Sequence, residues 1–172
     1  MGLTLTPAPP TVPAGRRHAL VDSPIGPLAL VEEDGALAAL SVEGARQGPV
    51  PESFGPRDDD ALPRLREQLG EYFAGRLREF DADVVLHGTP FQVRVWHALA
   101  AIPYGTTGTY GQIARAVGAP KAAQAVGAAN GRNPVSLVVP CHRIVGAGGR
   151  LTGYAGGMAR KEYLLRLEGA LL

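Results

Sequence analysis

The sequence predicts an α/β (α+β) protein, with a small N-terminal antiparallel sheet and one helix, then a mainly helical C-terminal domain containing a helix-turn-helix. Three observations carry this expectation. Short apolar segments separated by turn residues fill positions 18–42. Near residue 89 the pattern changes to apolar residues at helical spacing. Two short, capped segments joined by a glycine turn follow at 109–129.

Residues 1–15, MGLTLTPAPPTVPAG, are proline-rich and read as a flexible leader. They lack the basic start and apolar stretch of a secretory signal. His18–Val21, Leu28–Glu32 and Leu37–Val42 read as strands, divided by turns at Pro24–Pro27 and Glu33–Gly35. Arg46–Arg57 reads as a loop. A helix is expected to start at Asp58–Asp60, whose carboxylates suit a helix N-terminus. Leu62, Leu65, Leu69, Tyr72 and Phe73 would form its apolar face, and Gly75 would end it. Asp83–Leu86 reads as one more strand. The first domain is thus 16–88 and the second 89–172.

Thr89-Pro90 is a cap and first-turn pair for a helix from Phe91 to about Ala101, which presents Phe91, Val95, Trp96 and Leu99 on one side. Thr109 and Gln112 form a capping box opening a short helix to Val117, and Gly118 ends it. Pro120 introduces a second helix, Lys121 to about Ala129. The pair fits a helix-turn-helix or a plain helical hairpin in a core. The second helix, KAAQAVGAAN, is slim, and Lys121 and Gln124 are its only long side chains near the start. Such a surface suits close packing on a neighbouring helix or entry into a narrow DNA groove.

The whole chain has 172 residues, 45% of them hydrophobic, enough for a real core. No run of eighteen apolar residues occurs, so no membrane span is expected, and the chain reads as soluble and cytoplasmic. A single cysteine excludes an intramolecular disulfide and a cysteine-based zinc cluster. Neither a metal nor a cofactor is expected. Net charge is +1, yet residues 1–89 carry −6 and residues 90–172 carry +7. A basic second half suggests a polyanion partner, and a solvated surface with a chance gradient is the plainer reading.

Asn133-Pro134 reads as a turn, and Val135–Val139 as a buried strand that delivers Pro140-Cys141-His142-Arg143. A lone cysteine is either an inert core residue or a nucleophile activated by cationic neighbours. Adjacent side chains on a strand point to opposite faces, so His142 serves Cys141 only if the chain turns there or a water bridges them; a water relay is the expected form. The last helix, about Gly157–Glu168, puts Leu164, Leu165 and Glu168 on one face. An inward carboxylate needs a partner. His142 would complete a Cys–water–His–Glu chain. Lys161, on the same face, could pair with Glu168 or with a backbone carbonyl instead.

The segments FQVRVW, IPYGTTGTYGQIA, AVGAANGRNP, VVPCHRIVGAGG, LTGYAGG and RKEYLLRLEG, in this order, resemble the catalytic and DNA-binding domain of the O6-alkylguanine-DNA alkyltransferases. The acidic half is similar to that family's smaller domain, at DSPIGPLAL and EYFAG…FD. The resemblance implies a ribonuclease-H-like first domain and a winged-helix-like second one. It implies irreversible transfer of an O6-alkyl group from guanine in double-stranded DNA to Cys141, by a monomer that flips the base and reads the minor groove. O4-alkylthymine is a second candidate substrate. His142 would take the thiol proton, Glu168 would orient His142, and Asn133 would brace the cysteine loop. Tyr110 would contact DNA and protonate the leaving guanine at N3. Tyr154 and backbone groups around Ala155 would line the base pocket, and the carbonyls of Cys141 and Ile144 would read the base's amino group. Arg132 is expected on the DNA side. Gln124 departs from the family, which usually has an arginine there to fill the hole left by the flipped base. The alternatives are a non-catalytic binder of alkylated DNA, an alkylation-sensing helix-turn-helix regulator, and a Cys–His hydrolase. The last is a poor match, because His18, His87 and His97 lie in unrelated contexts.

Overall fold

The computed structural model describes residues 2–8 and 15–171. A five-stranded sheet is built from β1 (Leu3–Pro7), β2 (Arg16–Val21), β3 (Leu28–Glu33), β4 (Ala36–Val42) and β5 (Ala82–Leu86), in the order β1-β5-β4-β3-β2. The antiparallel pattern expected from sequence holds for β2–β3–β4, whereas β5 joins β4 in parallel and β1 joins β5 in parallel. Part of the expected flexible leader is therefore a strand: Leu3–Pro7 pairs in register with Ala82–Leu86. Its alternating Thr and Leu suit a half-covered edge. The rest of that leader, Met1 and residues 9–14, lies outside the described residues.

Alternation along the strands sorts the side chains. Leu28, Leu30, Leu37, Leu40, Val84 and Leu86 face one side and join the main core, while Ala29, Val31 and Ala39 face the other, under Phe54. Against the first face lies α1 (Pro63–Phe73), which buries Leu65, Leu69 and Tyr72. This helix starts later than expected. Asp58 and Asp59 serve Arg17, Arg57 and the Leu20 N–H instead of a helix N-terminus. Pro63 sets the first turn, preceded by Leu62 in a left-handed conformation (φ 49°). Gly75, at φ 77°, takes the left-handed position just past the helix end, as its sequence position suggested.

The second half holds α2 (Pro90–Ala100), α3 (Tyr110–Ala116), α4 (Ala123–Gly131) and α5 (Met158–Leu167), with a two-stranded parallel pair of β6 (Gly108–Thr109) and β7 (Ile144–Val145). Val95, Trp96 and Leu99 of α2 enter the same apolar cluster as the sheet and α1, so both halves share one core. The Trp96 indole N–H donates to the Ala129 carbonyl at 2.9 Å and ties α2 to α4. Both expected caps are present. Thr89 and Thr109 accept from Gln92 and Gln112 N–H groups, and each glutamine reaches back to its cap's N–H. The second helix of the pair starts at Ala123, two residues after the expected Lys121, which leaves Lys121 in the preceding turn.

One expected strand is absent. Val135–Val139 is buried, but only Val135 bridges to Leu40; the chain then winds back on itself, with Leu137 at φ 70° and the Val139 N–H donating to Val135 O at 3.0 Å. Burial from every side, rather than sheet pairing, explains the apolar run.

Thr109 fixes the start of the helix that carries Tyr110. Thr109→Ala should lower unfolding stability by about 1 kcal/mol, measured in urea, and Thr109→Asn should restore most of it. An unchanged midpoint for Thr109→Ala would remove the cap from this account.

Candidate active site around Cys141

After Pro140 the chain closes a single 3-10 turn over Cys141–Arg143. This turn replaces the strand end expected from sequence and carries Cys141, His142 and Arg143 all into the interior. Asn133 spans the loop before it. Its amide donates to Val139 O at 2.7 Å, and its side-chain oxygen accepts from Val135 N–H at 3.0 Å. The Asn130 amide reaches the Cys141 carbonyl at 3.4 Å.

Glu168 ends α5 and is 4% exposed. Four donors meet its carboxylate. Arg143 Nε donates to Oε1 at 2.8 Å, and Arg143 Nη2, His142 Nε2 and Tyr72 Oη all approach Oε2, at 3.0, 2.9 and 2.6 Å. Burial pushes the Glu168 pKa up, but the His142 and Arg143 donors outweigh it and hold the pKa at about 2. The group is therefore ionised and can only accept, which puts the His142 proton on Nε2. Nδ1 of His142 is left as a bare acceptor, buried and without a hydrogen-bond partner in the protein. Burial, with Arg143 and Lys161 nearby, keeps the imidazole pKa below its ordinary value against the opposing pull of Glu168. The ring is a neutral base with its lone pair free.

Cys141 is 3% exposed, and burial raises its thiol pKa. Asn133, Lys161 and Ser136 pull it back down. The cationic neighbours in sequence act differently from expectation: Arg143 turns away to Glu168 and to the Ile102 carbonyl at 2.7 Å. Lys161 takes the backbone option left open by the sequence, donating to the carbonyls of Ile144 and Thr152. Burial lowers its pKa to about 8. Tyr154 is buried beside the Cys141 sulfur, its hydroxyl without a hydrogen bond of good geometry, and burial there raises its pKa well above the ordinary value.

A cavity of about 270 Å³ opens beside this centre, lined by Tyr110, Gly127, Asn130, Tyr154 and Ala155, with Arg46 and Gln47 from the first half. Tyr110 starts α3, and its hydroxyl shares a 2.8 Å hydrogen bond with Thr152 Oγ1. A narrower crevice of about 10 Å³ leads to Cys141 between Asn133, Ser136 and Ala155 on one side and Ser41, Ala45 and Gln47 on the other. The Arg46 N–H donates to the Ala155 carbonyl at 2.9 Å and closes this junction. Ile144 lies in β7, one lone pair of its carbonyl already used by Lys161.

Cys141, His142, Glu168, Asn133, Tyr110, Tyr154, Ala155 and Ile144 thus converge on one region. Gln124 and Arg132 do not. Gln124 is exposed on α4 with Ala125 and Ala128, and Arg132 lines a separate cleft with Arg16, His87 and Gln92. Sequence reasoning missed Tyr72, Asn130, Ser136, Arg46 and Gln47. Asn130 had a local signal, a polar residue on the buried side of an Ala/Gly helix. Tyr72 was read as a core residue, and its hydroxyl's partner is 96 positions away.

Residues 90–170 match the DNA binding domain of 6-O-methylguanine DNA methyltransferase, and residues 17–86 match its ribonuclease-like domain. A methylated-DNA–protein-cysteine methyltransferase of Methanosarcina acetivorans is 47% identical over 154 residues, covering 89% of this chain and 98% of that protein. One from Mycobacterium tuberculosis is 51% identical over 148 residues, covering 86% and 89%. The crystal structure of Mycobacterium tuberculosis OGT in complex with DNA superposes with a TM-score of 0.83 at 48% identity, covering 90% of this chain and 93% of that one. With this identity along nearly the whole chain, joined to the buried cysteine, histidine and glutamate, the protein belongs to the 6-O-methylguanine DNA methyltransferase family.

Proposed function

We propose that the protein repairs DNA by direct damage reversal, moving the O6-alkyl group of guanine onto Cys141 in a single, irreversible turnover. The observation that carries the residue assignment is the buried His142, with Nε2 held by Glu168 and Nδ1 left without a hydrogen-bond partner. His142 takes the thiol proton, directly or through one bridging water. The sulfur bonds to the alkyl carbon as the carbon–O6 bond breaks. Tyr110 donates a proton at N3, so the guanine leaves neutral; the proton lost by the thiol and the one gained by the base balance. The product is a thioether with no low-barrier return. Lys161 and Asn133 favour the developing thiolate, and Tyr154 and Ala155 hold the flipped base in the cavity beside them. The crevice at the sulfur has room for about one water-sized group, which favours methyl as the alkyl group.

DNA bearing O6-alkylguanine is the partner, with the slim face of α4 in the minor groove and Lys121, Arg132 and Arg115 on the phosphates. No helix among the described residues is long and apolar enough to cross a membrane. A chemistry that needs a free thiol suits a reducing, cytoplasmic compartment. One copy of the chain carries every group named here. A non-catalytic binder would leave Cys141 and the open Nδ1 of His142 without a task.

Three outcomes are expected. First, incubation with duplex DNA containing O6-methylguanine should add one methyl group per protein by intact mass, and Cys141→Ala should gain none. Free methanol, or repaired DNA without a mass gain, would sink the transfer reading. Second, His142 must be neutral to act. Its pKa lies below the ordinary imidazole value. The single-turnover rate should hold steady as pH falls to neutral and drop only on the acid side of 6.5. A rate already halved at neutral pH would contradict a base of depressed pKa. Third, Gln124 brings no charge to the wedge position. Gln124→Arg should steepen the salt dependence of DNA binding by about one phosphate contact and speed repair of duplex substrate. If neither changes, position 124 is not the wedge.

A further inference from the structure

The relay's last link comes from the other half of the chain. Tyr72 lies on α1, packed against the sheet of the first half, and is 1% exposed. Its hydroxyl donates to Glu168 Oε2 at 2.6 Å, the same oxygen that receives His142 Nε2. We propose that Tyr72 is a positioning residue for methyl transfer: it fixes the rotation of the Glu168 carboxylate and limits its basicity, and so tunes His142 as the base. The proposal rests on the reading of Cys141 and His142 given above.

Tyr72 is itself held firmly. Its ring packs on Phe73 and Phe80, each with centroids 5.2 Å away, and edge-on to Tyr104 at 6.4 Å. Tyr104 in turn lies under the Arg143 guanidinium, 5.7 Å from its centroid, and under Arg78 at 5.5 Å. An aromatic clamp from α1 and its neighbours thus aims one hydroxyl at one carboxylate oxygen. Burial, and then the adjacent Glu168 charge, push the phenol pKa far above its ordinary value. The group stays a donor at every working pH.

Each donor on Oε2 withdraws charge from the oxygen that holds the His142 N–H. A carboxylate with fewer donors is more basic, stabilises the imidazolium better, and raises the His142 pKa. The other charged or titratable groups facing this pair are Arg143, Lys161 and Cys141, with Tyr104 and Arg78 one layer out. None of these donates to Glu168 except Arg143. Besides His142 itself, Tyr72 is therefore the one neutral donor to Glu168 among the described residues, and it changes carboxylate basicity without changing the site's net charge. It also makes the first half part of the reaction, since the catalytic half alone leaves Oε2 one donor short.

The test is Tyr72→Phe, which keeps the ring packing and removes the hydroxyl. Single-turnover methyl transfer from O6-methylguanine duplex is measured across pH, with DNA affinity alongside. The expected result is an acid limb moved to higher pH and a plateau rate lowered about tenfold, with DNA affinity unchanged. Site-specific 3-fluorotyrosine at position 72, a stronger donor of nearly the same shape, should move the limb to lower pH. The His142 ring titration, followed by NMR in the DNA-free protein, should shift in the same two directions. That last measurement needs no transfer, so it separates the two claims. Wild-type protein that moves no methyl would end the functional reading, while the NMR shifts would still decide Tyr72. An acid limb and His142 titration that stay in place in the fluorotyrosine protein would overturn the proposal, whether or not Tyr72→Phe folds.

Discussion

A buried carboxylate without donors is costly, and the placement of Glu168 governs much of this structure. Its two oxygens draw in side chains from two distant parts of the chain, Tyr72 from α1 and His142 and Arg143 from the 3-10 turn, onto the end of α5. Arg143 cancels the charge, so the cluster as a whole is neutral. Removing Arg143 would leave the buried carboxylate charge uncompensated, a loss typically of several kcal/mol for an ion pair of this kind. The same interaction therefore joins the two halves, bends the chain at Cys141 and fixes which ring nitrogen of His142 is free. Folding and chemistry share a single constraint.

Electrostatics around the sulfur follow from that arrangement. Because Arg143 is committed to Glu168, no guanidinium faces Cys141. The thiol is kept protonated by burial, and the side chains that ease its ionisation are two neutral ones, Asn133 and Ser136, and a lysine whose own pKa has fallen to about 8. A resting thiol is less exposed to oxidation than a resting thiolate. In the proposed mechanism ionisation waits on His142, and the thiolate forms where Lys161 can meet it. Lys161 is anchored through the Ile144 and Thr152 carbonyls, both on the stretch that leads into Tyr154. Its charge is thus fixed relative to the pocket wall.

Local signals were the legible ones. The capping threonines, the turn at Glu33–Gly35 and the glycine after α1 act within a few residues, and each appears in the fold where the sequence put it. The grouping of Leu164, Leu165 and Glu168 on one buried face also followed from helical spacing alone. Where the sequence misled, a longer-range interaction won. Asp58 and Asp59 look like a helix start, yet arginines at 17 and 57 claim them. Val135–Val139 looks like a strand because it is apolar and β-branched apart from Ser136 and Leu137. Burial by surrounding elements gives the same composition as sheet pairing, and periodicity cannot separate the two. Residues 3–7 find their partner about eighty positions downstream, and Tyr72 finds Glu168 still further on. Neither pairing leaves a trace in neighbouring sequence. Cys141 and His142 could be singled out because tandem residue types of this kind carry chemistry directly. Tyr72, Arg46 and Gln47 reach the site only across a junction between the two halves that the fold creates.

That junction also bears on why a protein would be built for one event. The crevice over the sulfur is bounded by Asn133, Ser136 and Ala155 from the second half, and by Ser41, Ala45 and Gln47 from the first. The crevice has room for about one water-sized group at the sulfur, roughly the size of a methyl. The loop beneath it is already committed: Leu137 sits at φ 70°, a conformation that costs a non-glycine residue roughly 1–2 kcal/mol, and Asn133 pins both sides of the bend. A larger alkyl group must push either this loop or the Arg46–Ala155 contact that joins the halves. The pocket is thus tight where the product forms and roomy only where the base enters and leaves. Regenerating the cysteine would need a nucleophile at the alkyl carbon, on the side the base vacated, with the Cys141 thiolate as leaving group. Burial disfavours that thiolate, so the thioether is the end of the reaction.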